Sequence, residues 1–591
     1  MVEIKFSANQ VYSVIKPYTL TPEQAAAVEQ ASFTSPALVV AGAGSGKTEL
    51  MAVRVLWLVA NQIARPEEIL GLTFTRKAAA ELSKRVYESL LRLRDTPMWP
   101  EGLEYDFSRP NISTYNAYAN NLFRDNSLAI GYESDAVLLS DAAAFQLARE
   151  VVLTHGSDAD LRLSELDQNL NSLVESVLAL AQSMNDNLVT AVQVEAEVQQ
   201  VAQVLAELPR KAGSADTTPF AYMQGLVQPV MATPIIAKLA EAYALEKQRQ
   251  GFVDYSDQVA LAEKAAREVP GVADLERAKY RQVLLDEYQD TSFLQTRLLQ
   301  HLFAQTSVFA VGDPNQAIYG WRGASASNLA NFYQDFSAPA DANSYSLSTS
   351  WRNPKKVLDL ANRLIGDLKA VELVPAPTAQ LGQIDVRFED TIKAEAQSVA
   401  KWFKAKDLSQ ETSALLMRKR SQMPLFVEAL EAQGIEVEVV GLGGLLEMPE
   451  IVDLVSALRV IHNPQAGSQL IRLLSGPRWR IGPKDLERLH RYATKVARFE
   501  DTIRAKQQEG LSAEDSISIV DALDALLEEK HPEKFGFSEI GLPRLLNAAQ
   551  LLRSMRRQTG LSLTEYVRAV EQELWLDIEV SANPRRKNPL S

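Results

Sequence analysis

The octapeptide AGAGSGKT, Ala41 to Thr48, constrains this chain more than any other stretch, because it requires a strand before it and a helix after it. Ala37 to Ala41 is apolar and reads as a buried strand, and Thr48 to Ala60 reads as a helix. Gly42, Gly44 and Gly46 let successive backbone N–H groups turn toward one point, where the positive end of the helix dipole reinforces them. Such a turn cradles phosphates along its whole length, Ala41, Gly42, Ala43, Gly44, Ser45 and Gly46 included. Lys47 would reach the β- and γ-phosphates and the Thr48 hydroxyl would ligate Mg²⁺. The general pattern carries Gly where this chain has Ala41. The bland alternative is a glycine-rich turn without a ligand.

A second motif argues against the bland reading. In LLDEYQDTS, the apolar run Val283 to Leu285 reads as a buried strand, and Asp286 and Glu287 leave its tip, where ligands sit in open α/β sheets. One carboxylate can hold Mg²⁺ while its neighbour orients and deprotonates a water. Alone, an acidic dipeptide at a strand end is usually a solvated loop start; with a phosphate cradle upstream it becomes the hydrolytic half of an ATPase. The chain has neither Asn-Lys-x-Asp for guanine nor Leu-Ser-Gly-Gly-Gln of transporter-type ATPases. Gln24, in LTPEQ, carries an amide suited to the adenine N6 and N7 edge. It also sits in a good helix start, Thr21-Pro22-Glu23, and both readings stand.

At 591 residues the chain is too long for one hydrophobic core. Strand-like and helix-like runs alternate at first, with a strand at Ile69 to Phe74 and a helix from Lys77 to about Leu93, the rhythm of a parallel sheet. From about Asp135 to Gln250 the pattern changes to long amphipathic helices such as VEAEVQQVAQVLAEL, and strands resume at Val283 to Leu285 and Val308 to Gly312. A helical insertion inside one α/β domain follows, since both halves are needed for one sheet. A second α/β region starts near Ser344, with strands expected at Ala414 to Met417 and Glu436 to Val440 and a Pro-containing connection at Val374 to Gly382. From about Asn463 the chain is helical again. The expected domains are 1–134 with 255–343, 135–254, 344–462 and 463–591.

Composition restricts the partners. No apolar run reaches the roughly 18 residues of a membrane span, and the first ten residues lack a signal pattern, so a cytoplasmic protein with no membrane partner is expected. Zero cysteines exclude disulfides and thiolate metal sites, and five scattered histidines show no metal-ligand spacing. A net charge of −14 argues against coating nucleic acid by charge alone. A narrow groove that stacks bases remains compatible with it. Phe74, Tyr319 and Trp321, interleaved with Arg76, Lys77 and Arg322, have that character, although for Phe74 and Trp321 taken alone a place in the core is the better reading.

LTPEQ, AGAGSGKT, GLTFTRKAAAEL, LLDEYQDTS, VGDPNQAIYGWRGA and LSTSWRNP follow one another in the order and spacing of UvrD/Rep-type superfamily 1 DNA helicases, which the chain resembles over residues 20–354. GLGGLLEMPEIVDLVSALRVIHNP and LLSGPRWRIGPKDL are similar to the same family and to its RecB-like and mycobacterial-type helicase–nuclease branch. The resemblance implies an α/β architecture: a RecA-like P-loop NTPase domain with a helical insertion, and an incomplete second RecA-like domain with its own. It implies ATP and Mg²⁺ as cofactors, with Asp286 and Thr48 on the metal, Glu287 as base, Gln316 sensing the γ-phosphate, Arg352 as an arginine finger and Trp351 stacking on adenine. It implies that Phe74, Arg76, Tyr319, Trp321 and Arg322 contact DNA. The function implied is ATP-dependent 3′ to 5′ movement on single-stranded DNA, or on a duplex with a 3′ tail, in repair or recombination. A nuclease or repair partner goes with it. The alternative is a non-translocating ATP- and DNA-binding subunit of a helicase–nuclease complex.

Two family elements do not appear after Arg352: a Gly-Leu-Glu-containing strand element and a second catalytic arginine. The expectation is therefore a C-terminally truncated helicase. An arginine finger is worth about 10³–10⁵ in turnover, so the chain alone is expected to hold ATP better than it hydrolyses it.

Overall fold

The computed structural model describes residues 4–29, 35–103, 109–155, 170–207, 221–304, 306–320, 323–324, 327–337, 344–366, 371–440, 448–464, 466–504, 518–558 and 561–582. The chain divides into two compact units, Met1–Asp385 and Val386–Ser591.

The first unit is built on a six-stranded sheet. Its spatial order is Asn111–Thr114, Ile69–Thr73, Gln282–Leu285, Ser307–Gly312, Ala37–Ala41 and Ser344–Leu347, and every pairing is parallel. Parallel sheets are covered on both faces, and side chains alternate between them. Val39, Leu284, Phe309 and Val311 join one core with helices Lys47–Ala60 and Arg76–Arg94. Leu38, Val283, Leu285, Val308 and Ala310 join the opposite core with helices Tyr115–Asn126, Tyr255–Glu268 and Phe293–Phe303. Strands from before and after the helical insertion thus interleave, and their C-terminal ends share one edge.

Ser344–Leu347 was expected to open a second α/β region; it pairs with Ala37–Ala41 as the sixth strand of this sheet. That pairing covers an otherwise open edge beside the glycine-rich loop. Within the expected connection from Val374 to Gly382, Val374–Pro375 pairs with Thr349–Ser350.

Between the halves of the sheet lie helices Asp141–Thr154, Leu170–Asn187, Ala191–Glu207 and Ala221–Arg249. Their base is held by a buried charge cluster. Lys247 Nζ lies 2.5 Å from Asp254 Oδ2 and 2.6 Å from Asp257 Oδ2, with its side chain 4% exposed. Asn185 Nδ2 donates to Asp257 Oδ1 at 2.6 Å, and Asp254 caps helix Tyr255–Glu268. Burial opposes the charge on Lys247, but Asp257 and Asp254 outweigh it and hold the ammonium above its ordinary range.

The second unit begins with helices Ile392–Lys404 and Met423–Glu431, against which Leu415, Ile435 and Val437 pack. The strands expected at 414–417 and 436–440 carry no ladder pairing among the described residues. Their alternation is real, since Leu415 and Val437 are half-buried while Leu416 and Val440 are exposed. A strand needs a neighbour in register as well as an apolar face, and the described residues supply none. Helices Pro449–His462, Gly467–Ser475, Ile519–Ala525, Gly541–Arg556 and Leu563–Leu574 then surround a core that includes Trp479, Leu470 and Leu552. Among the described residues no helix is long and apolar enough to cross a membrane.

Replacing Lys247 by Met would leave two carboxylates buried without their cation. The expected loss is about 3–5 kcal/mol of stability, read as a lower denaturation midpoint. An unchanged midpoint would show that the cluster does not anchor the insertion.

Candidate functional site

The glycine-rich turn is braced from three directions. Gly42 N–H donates to Leu347 O at 3.4 Å, and Ser45 Oγ donates to Gly42 O at 2.8 Å. Ser350 Oγ donates to Ala43 O at 2.9 Å and Trp351 N–H donates to Gly44 O at 2.8 Å. Gln24 Nε2 donates to Ser45 O at 3.1 Å, while its Oε1 accepts from Thr21 N–H at 3.1 Å. Gln24 therefore closes the start of its own helix and props the turn with one amide. Gly44, at φ +78°, also has no room for a side chain: a Cβ there would lie 2.7 Å from Arg352 Cβ and 2.8 Å from Ser350 Oγ. At Gly42 a Cβ would run into the Leu373 side chain.

Gly46, at φ +88°, opens helix Lys47–Ala60. No side chain caps this helix, so its first backbone N–H groups are left to a ligand. From its first turn Lys47 Nζ reaches Glu287 Oε2 at 2.8 Å, joining residues 240 positions apart. Glu287 holds a left-handed backbone, φ 48° and ψ 43°, a conformation that costs a side-chain-bearing residue on the order of 1 kcal/mol. Its Oε2 also accepts from Gln289 Nε2 at 2.8 Å.

Asp286, next to it, is 5% exposed. Its Oδ2 accepts from Thr73 Oγ1 at 3.4 Å, and its Oδ1 has no hydrogen-bond partner among the described residues. Burial pushes its carboxyl up to about 6, the Glu287 charge adds to the rise, and Lys47 opposes it. Asp290 is likewise raised to about 6 by burial and by Glu287, with Lys47 opposing. A buried carboxylate oxygen without a partner is costly unless a cation or a proton meets it. Asp286 therefore fits a divalent cation, with the Thr48 hydroxyl at the opposing helix start as the second protein donor. No group of three His or acidic side chains surrounds the place among the described residues, as expected where a cation takes the rest of its oxygens from phosphate and water. Tyr115 is buried and donates its hydroxyl to Asp286 O at 2.8 Å.

Beyond strand Ser307–Gly312, Gln316 Nε2 donates to Asp313 Oδ2 at 2.6 Å. Tyr319 stacks on Phe74, ring centroids 4.8 Å apart and tilted by 37°. Phe74 follows strand Ile69–Thr73, and Arg76 starts the next helix with its side chain exposed. Trp351 is 53% exposed beside the glycine turn, so it is no core residue, and Arg352 is exposed next to it. Trp321 and Arg322 lie outside the described residues. Gln24, Lys47, Thr48, Asp286, Glu287, Gln316, Trp351 and Arg352 thus lie in the turns and helix starts along one sheet edge. Sequence reasoning missed Gln289, Asp313, Ser350 and Glu23, whose carboxylate accepts from Ser348 N–H and Oγ at 2.8 and 2.7 Å. All four stand inside the motifs already quoted, but only their partners across the fold reveal a role.

The comparisons agree with this geometry. The model of the UvrD/REP helicase N-terminal domain matches residues 20–337, and that of the UvrD-like helicase C-terminal domain matches residues 345–540. The chain is similar to the ATP-dependent DNA helicase Rep of Salmonella typhimurium, 28% identical over 501 residues, covering 83% of this chain and 65% of the relative. It is similar to the ATP-dependent DNA helicase PcrA of Leuconostoc citreum, 26% identical over 484 residues, covering 80% of this chain and 57% of the relative. PcrA of Staphylococcus epidermidis is 25% identical over 563 residues, with 92% and 69% covered. The chain therefore spans about three fifths to two thirds of these relatives' length.

The Asp286 environment makes a prediction for stability. A carboxyl raised to about 6 favours the folded state while protonated, so its contribution is complete below the unfolded value near 4 and is lost as pH rises through 6. Asp286→Asn should therefore be more stable than the parent at pH 8, by on the order of 1–3 kcal/mol, and lose that advantage toward pH 4. A difference independent of pH would contradict the assignment.

Proposed function

The chain belongs to the UvrD/REP helicase family, and from that premise we propose that it is an ATP-driven motor that moves 3′ to 5′ along single-stranded DNA. Its substrate is a single strand or a duplex with a 3′ tail, and its setting is repair or recombination in the cytoplasm, alongside a nuclease or repair partner. The observation that carries the reading is the Lys47–Glu287 pair at 2.8 Å beside the unpartnered Asp286 oxygen, at the tip of a glycine-rich turn.

Mg²⁺, when bound, would neutralise the β- and γ-phosphate oxygens and give the phosphoryl group its electrophilic character, with Thr48 and Asp286 as its protein donors. Backbone N–H groups of Gly44, Gly46 and Lys47 bind the phosphates, and Lys47 leaves Glu287 for their negative charge. Glu287, released from the ammonium, accepts a proton from a water that attacks the γ-phosphorus as the bond to the β-phosphate oxygen breaks. Gln316 and Arg352 bind the γ-phosphate from opposite sides, Gln24 and Trp351 hold the base. Phe74, Tyr319 and Trp321 stack the strand while Arg76 and Arg322 meet its phosphates. In this reading residues 1–134 with 255–343, joined by the strand Ser344–Leu347, form the nucleotide-binding domain, 135–254 its helical insertion, and the residues from there to 462 and 463–591 a second such pair.

Adding oligo(dT) should stimulate phosphate release by the purified chain. Lys47→Ala should lose nucleotide binding, whereas Glu287→Gln should bind nucleotide and turn over about 10²–10⁴-fold more slowly. Tyr319→Ala should weaken single-strand affinity by about 1–3 kcal/mol. Tight DNA binding without stimulation would support the non-translocating subunit, and opening of 5′-tailed duplex in preference to 3′-tailed duplex would reverse the polarity.

A further inference from the structure

Gln289 touches both halves of the site. It is 2% exposed, and both ends of its amide are occupied. Nε2 donates to Glu287 Oε2 at 2.8 Å, and Oε1 accepts from Asp313 N–H at 2.9 Å. The amide therefore bridges the tip of strand Gln282–Leu285 to the tip of its neighbour Ser307–Gly312. Asp313 continues the line, accepting from Asn315 N–H at 3.0 Å and from Gln316 Nε2 at 2.6 Å. Three residues further on, Tyr319 stacks on Phe74. A continuous set of hydrogen bonds thus runs from Lys47 through Glu287, Gln289 and Asp313 to Gln316, next to the aromatic pair.

Gly312 supports a specific role for this bridge. It has no positive φ, so backbone freedom does not explain the glycine. Space does: a Cβ would lie 2.8 Å from Gln289 Oε1 and 2.8 Å from Leu329 Cδ2. The strand end is kept bare where the buried amide crosses it. A Gln amide also has a property a carboxylate or a hydrocarbon lacks, since it must donate at one end and accept at the other. It cannot satisfy Asp313 N–H unless its Nε2 points at the Glu287 side. When Lys47 leaves for phosphate, Glu287 Oε2 loses one of these two donors and keeps the Gln289 amide. Unpairing either end leaves an atom of the buried amide without a partner, which biases the loop between two positions.

We propose that Gln289 is a positioning residue that couples the nucleotide site to the DNA-stacking pair, its amide tying the Glu287 carboxylate to the Asp313–Tyr319 segment. It does not touch the reacting atoms; it sets the place of the base on one side and of Gln316 and Tyr319 on the other. This inference rests on the motor reading above, and the test separates the two.

The readout is the affinity for a fluorescent oligo(dT) measured with a non-hydrolysable ATP analogue and again with ADP, each with Mg²⁺. The wild-type chain is expected to change its affinity at least about tenfold between the two, a 1.4 kcal/mol coupling. Gln289→Leu, similar in volume and without either hydrogen bond, should reduce that change to less than about twofold while still binding both nucleotides. Gly312→Ala, which keeps every polar group but crowds the amide, should reduce it in the same direction. A wild-type chain with no nucleotide-dependent change would overturn the motor reading and this inference with it. A full tenfold change retained in both folded variants would overturn the inference alone.

Discussion

The ion pair between Lys47 and Glu287 is the interaction on which the rest of the site depends. Lys47 begins an uncapped helix whose N-terminus favours anions rather than an ammonium. Glu287 sits in a left-handed conformation that its side chain makes costly. Each tolerates its position because the other is 2.8 Å away. The sheet order makes the pairing possible: the strand carrying Glu287 comes from beyond the helical insertion, yet it pairs with Ile69–Thr73, which precedes that insertion. A parallel sheet puts all its C-terminal strand ends on one edge, so distance along the chain becomes irrelevant to the chemistry.

Around that pair the structure separates what must be rigid from what must exchange partners. The glycine turn is fastened by Leu347, Ser350, Trp351 and Gln24 through its backbone atoms. Asp286 is the opposite case, buried with one oxygen unpartnered and a carboxyl that burial raises to about 6. The helical insertion, in contrast, is anchored by a saturated cluster: Lys247 is met by two carboxylates, and Asn185 satisfies one of them.

Much of this was legible in the residues because short motifs encode backbone requirements. Gly44 and Gly46 need positive φ, Val283 to Leu285 must be buried, and the glycine turn demands the strand and helix around it. The central sheet and its insertion followed from those demands. The membership of Ser344–Leu347 was not legible, because a strand's partner is not written in its own alternation. For the same reason 414–417 and 436–440 looked like strands while pairing with none among the described residues. Nor could the sequence identify Gln289, whose importance lies in two bonds to residues on different strands. Gln24 kept both of its readings at the sequence level, and its amide proves to brace the turn as well as its own helix.

The most direct test of the account is the affinity of Glu287→Gln for ATP without Mg²⁺, compared with the parent chain by equilibrium titration. If Lys47 must leave Glu287 before it can meet phosphate, removing the carboxylate charge should tighten ATP binding by about tenfold, or 1.4 kcal/mol. Affinity that is unchanged or weaker in Glu287→Gln would contradict the claim that this ion pair holds the site until nucleotide displaces it.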